Sequence, residues 1–233
     1  MMETLPIGGI VPFTATDYPG HLSMVVFCQG CPWRCLYCHN PHLQPLSTNE
    51  EAPWTWEKIV QFLKKRIKLL DAIVFSGGEP TLHKGLIPAM QEAKKLGFKI
   101  GLHTGGHYPK KLKLILPHVD WVGLDIKAPF EKYETITKIP KSGENAKESA
   151  RLILQRGVEV EFRTTVHPDL LTPSDLIAIG KTLNEMGAST FVLQEFRKDG
   201  CNNTDLIGSS NPSSITSDVE RVLKPLFHTF FVR

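Results

Sequence analysis

The sequence predicts an α/β fold, a parallel sheet covered on its outer side by helices and organised as an incomplete (βα)6 barrel. Three observations predict it. Strand-like and helix-periodic stretches alternate about six times. Six βα units fall short of the eight that close a full barrel. The length of 233 residues suits one undivided α/β domain, so we take 1–233 as a single domain, with 1–20 an irregular lead-in and 198–233 a C-terminal loop and helix.

Taken in order, Ile7 to Gly20 is rich in Gly, Pro, Thr and Asp and reads as an irregular lead-in or short hairpin. Leu22 to Phe27 is the first strand, and His42 to Pro53 a polar connection. Thr55 caps a helix with an apolar face of Ile59, Phe62, Leu63, Ile67 and Leu70. Ala72 to Phe75 is a buried strand broken by Ser76-Gly77-Gly78. Leu86, Ile87, Met90, Ala93 and Leu96 make a helix stopped by Gly97, and Lys99 to His103 is the next strand. A short helix from Lys110 to Leu116 leads to a strand at Trp121 to Ile126. Glu144 to Arg156 is a helix closed by Gly157, followed by a strand from Val158 to Val166. Thr172-Pro173 starts a helix carrying Leu176, Ile179, Leu183 and Met186 to Gly187, and Thr190 to Phe196 is the sixth strand. Lys198 to Ser214 reads as a loop and Ile215 to Phe227 as a last helix.

Composition excludes several classes. The excess of 27 Lys and Arg over 24 Asp and Glu is +3, too small to imply nucleic acid. Purely apolar runs last only a few residues, so no membrane span is expected. The start, MMETLPIGGIVPF, lacks the basic, apolar and small-residue regions of a signal peptide, which places the protein in the cytoplasm. Clustered cysteines agree, because a reducing compartment keeps thiols available for metal.

Four of the five cysteines fall in FCQGCPWRCLYCHNP, from Phe27 to Pro41; the fifth is Cys201. Thiolates suit iron–sulfur clusters and zinc, and a cubane cluster normally takes four. Cys31, Cys35 and Cys38 form C-x3-C-x2-C, which offers three sulfurs and leaves one iron open to a substrate. Cys28 closes the first strand and reads as a small buried hydrophobe; as a fourth ligand it would instead make the protein an electron carrier. A zinc site of Cys35, Cys38, His39 and His42 would leave Cys31 unexplained. No G-x-S-x-G, H-E-x-x-H or G-x-x-x-x-G-K pattern appears, so hydrolysis is not indicated.

The three-cysteine spacing, with an aromatic before its last cysteine, resembles the radical S-adenosylmethionine superfamily. The longer run TDYPGHLSMVVFCQGCPWRCLYCHNP, Thr16 to Pro41, is similar to glycyl-radical-enzyme activases, most closely those of anaerobic ribonucleoside-triphosphate reductase. The resemblance implies the same open barrel and two cofactors, a 4Fe–4S cluster on Cys31, Cys35 and Cys38 and S-adenosylmethionine on its open iron. Reductive cleavage would give a 5′-deoxyadenosyl radical that installs a glycyl radical on a partner enzyme. It further implies cofactor contacts at Tyr37 and His39 beside the last cysteine, at Gly77-Gly78-Glu79, at Thr104, at Asp125 and Lys127 (the D-x-K pair), and at Arg163 and Thr165. An arginine suits a carboxylate.

His103 stands where several activases carry an acidic residue; a ligand contact and a buried, satisfied histidine are both open. Gln194 to Arg197, at the end of the sixth strand, are further candidates for adenine or substrate. Lys64-Lys65-Arg66-Lys68, Lys94-Lys95 and Lys110-Lys111-Lys113 read as solvated helix faces, or as a dock for an acidic donor such as flavodoxin or ferredoxin. Three readings stay open: activation of the reductase; the same chemistry on another glycyl-radical enzyme of the pyruvate formate-lyase type, a peptide or a small molecule; and a four-cysteine electron carrier.

Overall fold

The computed structural model describes residues 5–46 and 54–233. The start of the chain and the end of the polar connection at His42 to Pro53 lie outside the described residues. Eight strands follow chain order in a mostly parallel sheet: β1 (Ile7–Thr14), β2 (Ser23–Cys28), β3 (Ala72–Gly77), β4 (Lys99–Thr104), β5 (Trp121–Asp125), β6 (Glu159–Val166), β7 (Thr190–Glu195) and β8 (Thr229–Val232). The helices are α1 (Trp56–Lys64), α2 (Leu86–Lys95), α3 (Pro109–Ile115), α4 (Tyr133–Thr137), α5 (Ser142–Arg156), α6 (Pro173–Glu185), α7 (Thr204–Gly208) and α8 (Ser217–Leu223). The α/β class read from the sequence is the class observed.

The described chain forms two compact units. The first draws on Met1–Pro32, His42–Thr104 and Lys110–Gly123. Here β2 runs parallel to β3 with Cys28 opposite Gly77, and β3 parallel to β4. Met24, Val25, Val26, Ile73, Val74 and Phe75 are all buried, as expected of parallel strands covered on both faces. The stretch before Gly20 contains β1, antiparallel to β2. Thr55 caps α1 as its sequence suggests, accepting from Lys58 N. The helix ends at Lys64, however, rather than running to Leu70. Lys68 adopts φ 68°, which no α-helix sustains, and Ile67 is 46% exposed instead of lying on the apolar face.

The second unit comprises Trp33–Pro41, Gly105–Pro109 and Leu124–Arg233. Strands β6, β7 and β8 are parallel neighbours. The capping box of α6 is complete: Thr172 accepts from Asp175 N, and Asp175 accepts from Thr172 N. Gly157 ends α5 at φ 70°, a left-handed stop that glycine adopts without strain. Two readings are corrected. The stretch Lys198 to Ser214 holds the short helix α7, capped by Asn203. The last helix stops at Leu223, because Pro225 lacks the N–H that would continue it, and the apolar residues beyond form β8.

Candidate active site

In parallel α/β sheets, chemistry gathers at the C-terminal ends of strands; each unit presents one such set of ends. In the first, β2 ends in Cys28 and continues through Gln29, Gly30 and Cys31. Gly30 N donates to Leu43 O at 2.8 Å and Cys31 N to Gln44 O at 3.1 Å. Gln29 Nε2 donates to Pro45 O at 2.7 Å. Main-chain bonds thus hold the approach to the cysteine motif from both sides.

The end of β3 is bound to that approach. Gly78 N donates to Cys28 O and Glu79 N to Gly30 O, both at 2.8 Å. A Cβ on Gly77 would strike the Cys28 backbone and one on Gly78 the Gly30 carbonyl. The two glycines therefore permit a close backbone approach between β3 and the cysteine segment. Glu79 is wholly buried. Its carboxylate accepts from Thr81 N at 3.0 Å, Thr81 Oγ1 at 2.5 Å and Thr104 Oγ1 at 2.8 Å. His103 Nε2 lies 2.8 Å from Asp17 O and its ring meets Trp121 edge-on.

The second unit holds Cys35, Tyr37, Cys38 and His39. Arg34 N donates to Thr137 O at 3.0 Å and Leu36 N to Ile136 O at 3.2 Å, seating the loop on the end of α4. Trp33 stacks on His107 with ring centroids 3.6 Å apart. His39 Nε2 lies 2.9 Å from Arg197 O, and its ring stacks on Phe196. Burial pulls the His39 imidazole below its ordinary range. Gly200 lies so close to His39 O that a Cβ would strike it, and Cys201 Sγ is 3.9 Å from Leu36 O. The segment after β7 thus clasps the cysteine loop.

Beside the loop, Arg163 Nε donates to Asp125 Oδ1 at 2.9 Å and Lys127 Nζ to Asp125 Oδ2 at 3.0 Å. The ammonium of Lys127 also lies over the Tyr37 ring at 5.6 Å. Burial alone would lower the Lys127 pKa, but the Asp125 carboxylate, with Tyr37 and Cys35, holds it well above its ordinary value. Burial pushes the Cys35 thiol up to about 11, with Lys127 acting against that rise. The structure brings Asp125, Lys127, Arg163, Tyr37 and Cys35 into one electrostatic group. Thr165 lies two residues along β6 from Arg163, opposite Gln194.

Five cysteines are free thiols; Cys31, Cys35 and Cys38 are partly accessible, whereas Cys28 and Cys201 are buried. Burial, then the nearby Glu79 charge, pushes the Cys28 thiol upward, so it stays protonated. Among the described residues no three His, Cys, Asp or Glu side chains already surround a metal position. The fit to an iron–sulfur cluster rests on donor chemistry: three thiols on partly exposed residues of one short segment, with Cys28 fully buried. Trp33, His107, Tyr133, Thr81 and the Gly200–Cys201 clasp do not stand out in the sequence. Of these, only Trp33, inside the cysteine motif, carries any signal there.

A radical SAM superfamily profile matches residues 25–179. Over 200 residues the chain is 33% identical to a Methanocaldococcus jannaschii protein named as a glycyl-radical enzyme activating enzyme, covering 82% of this chain and 79% of that one. It is 33% identical to the pyruvate formate-lyase-activating enzyme of Clostridium pasteurianum, covering 66% of this chain and 65% of that one. Among solved structures, a radical SAM methyltransferase from Sphaerobacter thermophilus superposes with a TM-score of 0.66 at 17% identity, covering 93% of this chain and 67% of that one. This last likeness is one of fold.

Proposed function

Because the chain belongs to the radical SAM superfamily and to its glycyl-radical-enzyme activating class, we propose that it installs a glycyl radical on anaerobic ribonucleoside-triphosphate reductase. The cofactors of the family are a 4Fe–4S cluster and S-adenosylmethionine. When bound, they would supply one-electron reductive cleavage of a sulfonium carbon–sulfur bond, with the electron coming from an external reductant, and through it the means to take a hydrogen atom from a glycine α-carbon.

The chain supplies ligands and orientation. Cys31, Cys35 and Cys38 would hold the cluster, and the sealed position of Cys28 is the observation that most supports three ligands over four. Lys127 and Arg163, gathered on Asp125, would receive the carboxylate and ribose of S-adenosylmethionine. Within the second unit Tyr37, His39 and Thr165 would line its path; in the first unit the Gly77-Gly78-Glu79 segment and Thr104 are separate candidate contacts. An acidic flavodoxin or ferredoxin, docking on the lysine-rich helix faces, would deliver the electron.

A second target has a specific observation behind it. The likeness to a pyruvate formate-lyase-activating enzyme favours that lyase; the run from Thr16 to Pro41 favours the reductase. Anaerobic incubation with each candidate, followed by paramagnetic resonance, decides between them. A glycyl-radical signal on the reductase alone is the expected result, and one on the lyase alone would replace it.

A further inference from the structure

We propose that α4 is a coupling element and that Tyr133 is its positioning residue, tying the cysteine loop to the Asp125-x-Lys127 segment. Its functional consequence rests on the cofactor reading above; the coupling itself is a property of the chain.

The last carbonyls of a helix have no partner within it. In α4 two of these, Ile136 O and Thr137 O, accept from Leu36 N and Arg34 N, on either side of Cys35. The helix end therefore sets the backbone that carries a ligand. Tyr133, at the other end of α4, is buried and meets Trp33 edge-on at 5.8 Å. Trp33 is held on its other contact by the His107 stack. One residue of the cysteine motif is thereby tied to α4 through an aromatic pair.

The hydroxyl of Tyr133 faces the end of β5. It accepts from Lys127 N at 3.0 Å and lies 3.5 Å from Asp125 O. Ile126 N still pairs with Arg163 O at 2.7 Å; Lys127 N is the next amide, and Tyr133 supplies its acceptor. A buried amide needs one. Tyr133 thus touches the cysteine motif with its ring and fixes with its hydroxyl the backbone of the lysine that grips Asp125.

The platform is built to stay in place. Thr137 Oγ1 bonds to Tyr133 O at 3.0 Å and to Ser142 Oγ at 2.7 Å. Gly143 lets α5 start directly against the Phe130 carbonyl, where any Cβ would clash. Phe130 in turn stacks on Tyr133 at 5.8 Å. Each contact limits a different motion of one short helix.

Two variants test the coupling. Y133F keeps the ring against Trp33 and Phe130 but removes the acceptor for Lys127 N; Y133L removes the aromatic contact as well. In the protein without cofactors, amide hydrogen exchange should speed about tenfold or more at Lys127 in Y133F, and at Arg34 and Leu36 also in Y133L. After reconstitution, Y133F should retain wild-type iron and sulfide but bind S-adenosylmethionine about tenfold more weakly, the order of one lost hydrogen bond. Y133L should also retain less iron. Unchanged exchange at Lys127 in Y133F would overturn the coupling. So would cofactor binding by Y133F that matches wild type. Should wild type itself bind neither cluster nor S-adenosylmethionine, the functional reading fails while exchange still judges the coupling; should Y133L not fold, Y133F alone decides.

Discussion

Thr104 Oγ1 lies 2.8 Å and 3.0 Å from the two carboxylate oxygens of Glu79, inside the core of the first unit. The acid of the Gly77-Gly78-Glu79 segment faces inward, capping the turn at Pro80–Leu82 and bracing β4 against the end of β3.

Glu79→Gln should therefore act first on stability. The amide keeps the shape and the oxygen shared by Thr81 and Thr104, but sets an NH2 donor where Oε2 accepts from Thr104 Oγ1. A loss of about 1–3 kcal/mol in a denaturant titration is expected. Unchanged stability with abolished cofactor binding would assign Glu79 to the ligand instead.

Cys28 separates three ligands from four. Cys28→Ala should retain wild-type iron and sulfide after reconstitution, at a stability cost of about 1 kcal/mol. Cys28→Ser should cost more, because it seals a hydroxyl in place of a thiol. Loss of the cluster in Cys28→Ala would support the electron-carrier reading. Replacing Cys31, Cys35 or Cys38 should abolish the cluster in each case.

Much of this was legible in the chain. Six strands, from Ser23–Cys28 to Thr190–Glu195, announce themselves as short apolar runs rich in β-branched residues, and the structure places them within two residues of those runs. β1 was hidden because Gly8, Gly9 and Pro12 interrupt its pattern, as edge strands tolerate. α4 has five residues, too few to display a helical period. β8 was not read at all, since Thr229 to Val232 is only four residues long and lacks strict alternation. The C-x3-C-x2-C spacing marked Cys31, Cys35 and Cys38 in the sequence, and the resemblance marked Asp125, Lys127 and Arg163, which the structure gathers into one ion-paired group. The clasp of Gly200 and Cys201 on the loop was not legible, for it joins residues more than 160 positions apart through carbonyls.

Gly200→Ala tests that clasp. Gly200 has φ 84° and stands against His39 O, so a methyl group adds both left-handed strain and a backbone clash. A stability loss of about 1–3 kcal/mol is expected, with exchange at His39 and Cys38 accelerated before the rest of the unit. Uniform exchange throughout the unit would show that the segment does not bear on the loop.

Asp175 carries a pH dependence remote from the cysteines. Burial alone would raise its carboxyl, but hydrogen bonds from Lys132 and Thr172 bring it below the usual range. A folded pKa below the unfolded one stabilises the fold above the unfolded value of ~3.9, and that contribution fades as pH falls through the folded value. Wild type should thus exceed Asp175→Asn in stability by about 1 kcal/mol at neutral pH, with the gap narrowing below pH ~4. Chemical denaturation across that range measures it; a gap that widens on acidification would refute the assignment.

The proposed chemistry depends on an open iron held by three cysteines. Its most direct test is anaerobic: reconstitute the protein with iron and sulfide, reduce it, and record the paramagnetic resonance spectrum with and without S-adenosylmethionine while assaying 5′-deoxyadenosine. The expected result is a spectrum altered by S-adenosylmethionine, with 5′-deoxyadenosine formed. A cluster spectrum indifferent to S-adenosylmethionine, with no 5′-deoxyadenosine, would contradict it.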